Sequence, residues 1–536
     1  MSFRTNSFQQ FSLTDSFQGL TAREQKALNN SWAKVFAEDL FPYIDETPYA
    51  SLYSTKYSRP NTPVNVLLGS LIIKEMFNLS DDQVQENLML DIRYQYALHT
   101  TSYEEQPLSD KSLSRFRVRC YNYETATGID LIHDTMTSLS SCIAKVMNIS
   151  PNIKRMDSMM IEANIKKLSR MELLYTCIAR LCIYLHKKAK VSLPEELMHY
   201  TEENDFNKVI YHNRSEEVAQ KLLTLLKDAD TLFALCGSDY DETKEYQLFV
   251  RCLGEQTIVE EKTRRLRTKE DGTMYSNMLQ NPSDPSATFR TKAGKEHRGF
   301  AANVVESVGE NGSLVTDYQV EKNTYSDSQF LKDYVNTQEV SETPVTMVTD
   351  GAYSGEGNKE AAEEKNINLI TTDLSGKAPD TIVTEFTIHD EAGRILICPA
   401  GYAPLKSRFD AKTETYLASF PSECCRQCPH KDRCHAKIHS RVANVKVGKK
   451  SIARAEAVKY RETKEFKNLA RIRNGVETIP SLLRNRYQVD RMPRGLQKVR
   501  FYFGCKIAAL NFRKLFTFRK GRGNYAQNPL LSAVAC

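Results

Sequence analysis

The sequence lacks any apolar run long enough to cross a bilayer. Its longest apolar stretch, residues 66–73, is far shorter than the roughly 20 residues that a membrane-spanning helix needs. Residues 1–18 are polar and aromatic and lack the apolar core of a signal peptide. These absences argue against a membrane protein and predict a cytoplasmic one, for which no membrane partner is expected.

Paired cysteines of the kind found in secreted, disulfide-rich domains are also lacking. The chain has 13 cysteines, an odd number, and most show no regular spacing, which favours an intracellular protein. One cluster is the exception, and it comprises Cys398, Cys425, Cys428 and Cys434. The Cys425-x2-Cys428 spacing favours a structural Zn²⁺ site. Alternative ligands are Cys424, His430 and His435, an iron–sulfur cluster would use the same residues, and free reduced thiols are the plain alternative.

A large net charge is lacking as well, because 73 Lys or Arg nearly balance 67 Asp or Glu to give +6. The positive charge is nevertheless concentrated, since residues 482–523 contain twelve Lys or Arg and one acid, Asp490. Basic side chains neutralise phosphates, so this segment is predicted to bind double-stranded DNA. The predicted contacts in it are Arg484, Arg486, Arg494, Lys498 and Arg500. The alternative is an amphipathic helix over 495–518 with its aromatics in the core and its basic side chains in solvent.

The hydrophobic pattern predicts an α/β protein, and 536 residues suggest roughly two to four domains. Helical periodicity dominates residues 1–150 and 165–280. Strands at 299–305 and 313–320, then a strand–helix–strand unit at 346–371, follow the order of an RNase H-like domain with a mixed sheet and flanking helices. The predicted regions are 1–150 (helical, DNA-binding), 151–164 with 281–380 (RNase H-like core), 165–280 (helical insertion), 381–450 (small Cys-rich insertion) and 451–536 (catalytic helix and basic C-terminal region).

Three acidic residues carry the candidate chemistry. Asp157 and Asp350 each end a short apolar run, and Glu477 lies on a predicted helix. Two strand-borne aspartates and a helix-borne glutamate can hold a pair of divalent metals for phosphodiester chemistry. Taken singly, each aspartate is equally well a helix or turn cap, and Glu477 a solvated residue. Pro480 indicates either that the helix begins near Gly475 or that it kinks just after Glu477.

The basic residues around Glu477 select it as the third acid. Arg473 lies four residues before it and Arg484 seven residues after it. Both are predicted to hold the scissile phosphate, because residues at this spacing share a helix face. The rival acids on the same basic stretch lack both neighbours; they are Glu456, Glu462 and Glu465.

The pattern Arg473-x3-Glu477-x6-Arg484 resembles the signature of the DDE transposases of bacterial insertion sequences, in particular the insertion-sequence-four-like branch and its insertion sequence eleven-eighty-two type. Ala470 stands where that signature has tyrosine, and Arg484 where it has lysine. Other segments that resemble the family are Asp157-Ser-Met-Met-Ile-Glu-Ala-Asn164, Asp284-Pro-Ser-Ala-Thr-Phe-Arg290 and Asp350-Gly-Ala-Tyr353.

The resemblance implies a transposase that cleaves the ends of its element and joins them to target DNA. It implies that Asp157, Asp350 and Glu477 are catalytic and bind Mg²⁺ or Mn²⁺. The implied partners are the terminal inverted repeats, target DNA and a second copy in a homodimer, within the bacterial nucleoid. The alternatives are an RNase H-like nuclease without strand transfer and a domesticated zinc-containing DNA-binding protein.

Overall fold

The chain folds as a mixed α/β protein in which one curled sheet is surrounded by many helices. The structure, a computed structural model, describes residues 1–6, 17–100, 108–211, 215–261, 263–272, 275–292, 294–372 and 378–521. The predictions that concern residues 522–536 lie outside this part. Within it, no helix combines the length and the apolar character that crossing a membrane requires.

The N-terminal region is helical, as its periodicity predicts. Its α-helices are α1 (Ala22–Asn29), α2 (Trp32–Asp39), α3 (Val64–Phe77), α4 (Asp81–Leu90), α5 (Ile92–Ala97), α6 (Ser112–Thr127) and α7 (Leu131–Val146), with 3-10 turns at Phe41–Tyr43 and Thr47–Leu52. Ser80 and Gln83 form the capping box that starts α4. Helix α3 is buried on nearly every side, so it must pack against several other elements.

The first strand is followed by a second helical region with its own core. Its elements are β1 (Ile153–Glu162), α8 (Arg170–Lys187), α9 (Glu195–Met198), a 3-10 turn (His199–Thr201), α10 (Asp205–Ile210), α11 (Ser215–Cys236), α12 (Lys244–Gln256), β2 (Thr257–Glu260) and β3 (Thr263–Leu266). The prediction of a purely helical 165–280 is therefore wrong at its end. There the β-branched run Thr257-Ile-Val forms a short hairpin with β3.

The central sheet takes up β1 and five later strands. The later elements are β4 (Thr288–Lys292), β5 (Lys295–Gly309), β6 (Gly312–Lys322), α13 (Asp327–Thr337), β7 (Val345–Thr349), a 3-10 turn (Gly351–Tyr353), α14 (Glu356–Glu364) and β8 (Ile367–Thr371). The strand order is β4-β5-β1-β7-β8, with β6 also on β5. Strand β5 is antiparallel to β1 and β6, whereas β7 is parallel to β1 and β8. The predicted hairpin and strand–helix–strand unit are confirmed.

The position of Asp157 differs from the sequence prediction. The apolar run before it was expected to end the strand there, but β1 continues to Glu162. The reason is that Asp157 and the residues after it pair with β5 up to Gly299. The polar side chain thus lies in the middle of a central strand.

A small four-stranded sheet with its own core follows. Its region contains a 3-10 turn (Thr381–Glu385), β9 (Thr387–His389), β10 (Arg394–Ile397), β11 (Lys406–Asp410), β12 (Thr415–Pro421), α15 (Ser422–Arg426), β13 (Lys437–Ile438) and β14 (Val442–Gly448). The order of the four strands is β11-β12-β14-β13.

The C-terminal helices return the chain to the central sheet. They are α16 (Lys449–Arg461), α17 (Lys464–Asn474), a 3-10 turn (Gly475–Glu477), α18 (Thr478–Asn485), a 3-10 turn (Val489–Arg491) and α19 (Leu496–Arg519). Helix α19 confirms the predicted helix over 495–518. Its aromatic residues, Phe503 and Phe512 among them, lie in the largest core, which α19 shares with the N-terminal helices and β6.

Candidate active site

Three carboxylates far apart in the sequence meet around one guanidinium. Arg473 Nη2 lies 3.6 Å from Asp157 Oδ1 and 3.7 Å from Asp350 Oδ2. Arg473 Nη1 donates a hydrogen bond to Glu477 Oε1 at 2.9 Å. The structure therefore brings together the three acids and the basic residue that the sequence singled out.

Neighbouring parallel strands place the two aspartates side by side. Arg155 of β1 pairs with Val348 of β7, and Asp157 and Asp350 each lie two residues further on. The Asp157 Oδ1 atom accepts a hydrogen bond from the Ser158 N–H at 2.9 Å. Asp350 follows β7 directly and caps the 3-10 turn after it, accepting from the Ala352 N–H at 2.8 Å.

Glu477 lies at a break between two helices. Helix α17 ends at Asn474, the Gly475–Glu477 turn follows, and α18 begins at Thr478. Pro480 is thus the third residue of a new helix, where a missing N–H breaks no intrahelical hydrogen bond. Of the two arrangements that Pro480 allowed, the structure has a helix that restarts beyond Gly475.

Arg155 holds this break against the sheet, and the sequence prediction missed it. Its Nη1 donates to the Ile472 carbonyl at 2.6 Å, and its Nε donates to Glu306 Oε2 at 2.7 Å. Glu306 is fully buried and also accepts from Lys514 Nζ at 2.7 Å. A Cβ atom on Gly475 would lie 2.1 Å from Arg155 Nη1, so the turn approaches this side chain as closely as glycine allows.

Burial and charge set the electrostatics of the cluster. Burial raises the pKa of Asp157 and the charge of Asp350 adds to this, whereas the Arg473 guanidinium acts in the opposite direction. Lys292 of β4 also lowers the pKa of Asp157, and its Nζ lies 3.5 Å from Ser158 Oγ. Asp157 therefore lies in the partly dry part of the site, with positive charge close to it, whereas the Glu477 side chain is mostly exposed.

The donor atoms of the cluster suit a hard divalent cation, because all three side chains supply carboxylate oxygens. Their common approach to Arg473 shows that a cation is accepted between them. In the described part of the chain, no group of three or more His, Cys, Asp or Glu side chains is itself arranged to hold a metal ion.

The other basic residues predicted to bind DNA lie on α18, in the segment that follows it and on α19. Arg484 donates to the Met160 carbonyl at 2.7 Å, and Arg494 to the Asn164 carbonyl at 2.6 Å. Both residues are exposed, as are Arg486 and Lys498, and Arg484 Nε also lies 3.7 Å from Asp490 Oδ2. Arg500, in contrast, is held by two acids of the fold, Glu124 and Glu321.

The predicted zinc ligands line one small cavity of about 20 Å³. Its lining includes Cys398, Cys424, Cys425, Cys428, Cys434 and His430. Burial and the neighbouring thiols raise the pKa of Cys425 to about 11. His435 is exposed and is absent from the lining. The thiols are thus neighbours, and burial raises the pKa of Cys434 as well.

Two segments of the chain match known protein families. Residues 397–516 match the family described as "Transposase DDE domain", and residues 23–119 match "Transposase domain (DUF772)". The first match includes Glu477 and the cysteine cluster, whereas Asp157 and Asp350 lie outside both. Together the matches support a transposase of the DDE type.

The remaining comparisons add little. No curated protein matches the chain. A solved structure, that of a piggyBac transposase synaptic complex with hairpin DNA, aligns at 11% identity over 70% of this chain and 87% of that chain. Its TM-score of 0.19 is too low to support a shared architecture.

Proposed function

We propose that this protein is an insertion-sequence transposase that cleaves DNA at the ends of its element and joins those ends to target DNA. The observation that carries the proposal is the meeting of Asp157, Asp350 and Glu477 around Arg473, within 3.7 Å of its guanidinium. The family matches favour the same class of enzyme.

The strand arrangement supports an RNase H-like catalytic core. In the order β6-β5-β1-β7-β8, the first two strands are antiparallel to their neighbours and the last two are parallel to β1. We propose that residues 151–164 and 281–380 form this core, with 165–280 and 381–450 as insertions. The acid on the central strand then lies beside the acid at the end of its parallel neighbour, where α/β sheets place their ligands.

Each residue of the cluster has a separate role in the proposal. Asp157, Asp350 and Glu477 would hold Mg²⁺ or Mn²⁺, and bound divalent ions supply activation of the attacking oxygen and neutralisation of the leaving oxygen. Arg473 would hold the scissile phosphate, because its planar guanidinium donates two parallel hydrogen bonds and already lies beside all three acids. Arg155 is a positioning residue that fixes the turn between Arg473 and Glu477.

We extend the proposal to the DNA partners, to a second copy of the chain and to the cysteine cluster. The partner is double-stranded DNA, both the terminal inverted repeats and the target, and two copies of the chain act together on two ends. Proposed DNA contacts are Arg473, Arg484, Arg486, Arg494, Lys498 and Arg500. The helical region 1–150 is proposed to bind DNA as well. Arg500 is expected to contribute least because it is already paired. Cys398, Cys425, Cys428 and Cys434 would hold a structural Zn²⁺, since a dication relieves the mutual repulsion of neighbouring thiolates.

The test is cleavage of a duplex that carries the inverted repeats flanking the gene. Asp157→Asn, Asp350→Asn and Glu477→Gln are each expected to abolish cleavage while DNA binding persists, because each removes a negative charge without removing bulk. Glu462→Gln is the matched control, since this rival acid is exposed on the same stretch of chain. Normal cleavage by all three site variants would refute the proposal.

A second assay separates a transposase from a nuclease. Ends that are already cut are supplied together with target DNA, and joined products are measured. The proposal expects joining by the wild type and none by Asp157→Asn. Cleavage of intact ends without any joining would reduce the function to that of a nuclease.

A further inference from the structure

A basic cleft lies beside the carboxylate cluster, between the edge of the sheet and α16. It encloses about 820 Å³ and is bounded by β8, the start of α14, α16 and the start of α17. Among the residues that the structure describes, its basic lining residues are Lys359, Lys450, Arg454 and Arg461, and its acidic one is Glu465. This described lining has an excess of positive charge.

The basic residues of α16 that line the cleft lie on one face of the helix. Lys450, Arg454 and Arg461 recur at helical spacing, with Ala457 between the last two, so that all four lie on one face. The small side chain of Ala457 leaves room between the basic ones. Lys450 and Arg454 are exposed, and Lys450 Nζ lies 3.9 Å from Glu414 Oε2. An exposed pair at this distance contributes little, so a phosphate can compete with Glu414 for Lys450.

On the side of the sheet, the cleft is closed by the end of β8 and has an apolar floor. Arg461 Nη2 donates to the Thr371 carbonyl at 3.2 Å and so covers the end of the edge strand β8. The apolar floor includes Ile370 and Phe466, both buried. A groove with an apolar floor and cationic walls fits a strand whose charges lie along its outside, as they do in a nucleic acid.

The cleft lies a short, definable distance from the candidate active site. Helix α17 has Glu465 at the cleft and Arg473 at the carboxylate cluster. Eight residues of helix rise about 12 Å. One DNA strand advances about 3.4 Å per nucleotide, so this distance corresponds to about three to four nucleotides.

We propose that this cleft binds the phosphodiester backbone of DNA about three to four nucleotides from the phosphate held at Arg473. The inference rests on the proposed function and extends it to a second DNA contact, formed by Lys450, Arg454, Arg461 and Lys359. The occupant is DNA, because an extended polypeptide added to β8 would need an acidic sequence to match these walls.

The first test measures phosphate neutralisation through the salt dependence of binding. The affinity for a fluorescent duplex of arbitrary sequence is measured over a series of salt concentrations for the wild type and for Lys450→Gln/Arg454→Gln. The slope of log affinity against log salt is expected to become shallower by about 1.8 in the double variant, about 0.9 for each phosphate that is no longer neutralised. Between about 50 and 200 mM salt, the wild type should therefore lose about tenfold more affinity than the variant.

Lys459→Gln is the matched control for charge. Lys459 lies on the same helix, is exposed and does not line the cleft. Its removal is expected to leave the slope unchanged. An unchanged slope in the double variant overturns the proposal, and so does a variant that loses self-association instead of DNA affinity, because a protein strand would then occupy the cleft.

A cross-linking experiment locates the DNA independently of affinity. A photoreactive benzoylphenylalanine at position 457 is expected to cross-link to the strand about three to four nucleotides from the cut, whereas the same residue at position 459 should not. Ends with flanking DNA and pre-cut ends with target DNA are compared, so that the cross-linked strand identifies its source. Absence of a cross-link at 457 with both substrates overturns the proposal.

The outcomes separate this inference from the proposed function. If Asp157→Asn still cuts DNA but the salt slope falls as expected, the proposed function fails and the DNA site remains. If Asp157→Asn abolishes cutting and the slope is unchanged, only the cleft proposal fails.

Discussion

Substitution of Gly475 by alanine should disconnect the Gly475–Glu477 turn from the sheet. The backbone at Gly475 has ordinary helical angles, φ −62° and ψ −21°, so alanine is acceptable to the chain itself. The obstacle is Arg155, whose Nη1 would lie 2.1 Å from the new Cβ. Because Arg155 is only 7% exposed and is fixed by Glu306, its guanidinium has to leave the Ile472 carbonyl.

The magnitude follows from two opposing effects. Loss of the charged hydrogen bond from Arg155 to the Ile472 carbonyl costs about 1.5–3 kcal/mol. Replacement of glycine by alanine at a compatible position returns about 0.4–1 kcal/mol by restricting the unfolded chain. We therefore expect Gly475→Ala to lower the free energy of unfolding by about 1–2 kcal/mol. Cleavage should fall further, by about 100-fold, if Glu477 moves by about 1 Å.

A double-mutant cycle provides the assay. Urea unfolding and end cleavage are measured for Gly475→Ala, Arg155→Lys and the pair, because lysine lacks the Nη1 atom that the new methyl group would meet. In the Arg155→Lys background, Gly475→Ala should cost almost nothing, giving a coupling energy of about 1–2 kcal/mol. Additive effects of the two substitutions would refute the reasoning.

Three further predictions concern other parts of the fold. Although burial lowers it, the hydrogen bond and charge of Asp317 raise the pKa of His133 to about 9, above its ordinary 6.5. The pair should therefore add about 2 kcal/mol to the free energy of unfolding below about pH 6.5, and this contribution should be lost as the pH rises through about 9. The free energy of unfolding of His133→Gln should lack this pH dependence. Lys506→Met leaves the buried carboxylate of Glu75 without its partner and should cost about 3–5 kcal/mol in urea unfolding, whereas an equal stability of variant and wild type would contradict the pairing. Metal analysis of the wild type should find zinc, and Cys425→Ser should remove it and expose residues 378–448 to protease; a wild type purified without zinc would contradict that site.

The strands and helices that the sequence predicted correctly are those with local signals. The hairpin of β5 and β6 shows apolar strands around a Gly-Glu-Asn-Gly turn, and its register closes at Gly309 and Gly312. The predicted helix over 495–518 matches α19 to within one residue at each end. In contrast, the continuation of β1 past Asp157 depends on pairing with β5, more than a hundred residues later, and the polar pair Asp157-Ser158 interrupts the local apolar pattern.

The candidate site likewise contains residues that a local sequence pattern predicts and residues that no such pattern predicts. The spacing of Arg473 and Glu477 is local, so it could be recognised in the sequence. The contact between Arg155 and Glu306 joins residues that no local pattern links, and the sequence prediction missed it. A usable signal existed, because Arg155 lies two residues before Asp157 and so on the same face of the strand.

The basic C-terminal segment shows why the density of basic residues in the sequence is not enough to predict a DNA-binding surface. Its lysines and arginines were predicted to bind DNA from their density alone, yet several of them pair with acids from distant parts of the chain. Such pairs include Arg500 with Glu321, Lys514 with Glu306, and Arg519 with Asp39. Density along the sequence therefore overstates the charge that faces solvent. The cleft beside α16 has fewer basic residues, but three of them lie on one face of that helix.

The last helix completes a core that the first helices begin, and this has a consequence for how the protein is made. While it emerges from the ribosome, α3 presents apolar surface on nearly every side and the carboxylate of Glu75, and both await α19. Translation of the roughly 400 residues between them takes about 20–80 seconds at about 5–20 residues per second. During that time α3 remains uncovered by α19, and a chain whose translation stops before α19 has no Lys506 to pair with Glu75.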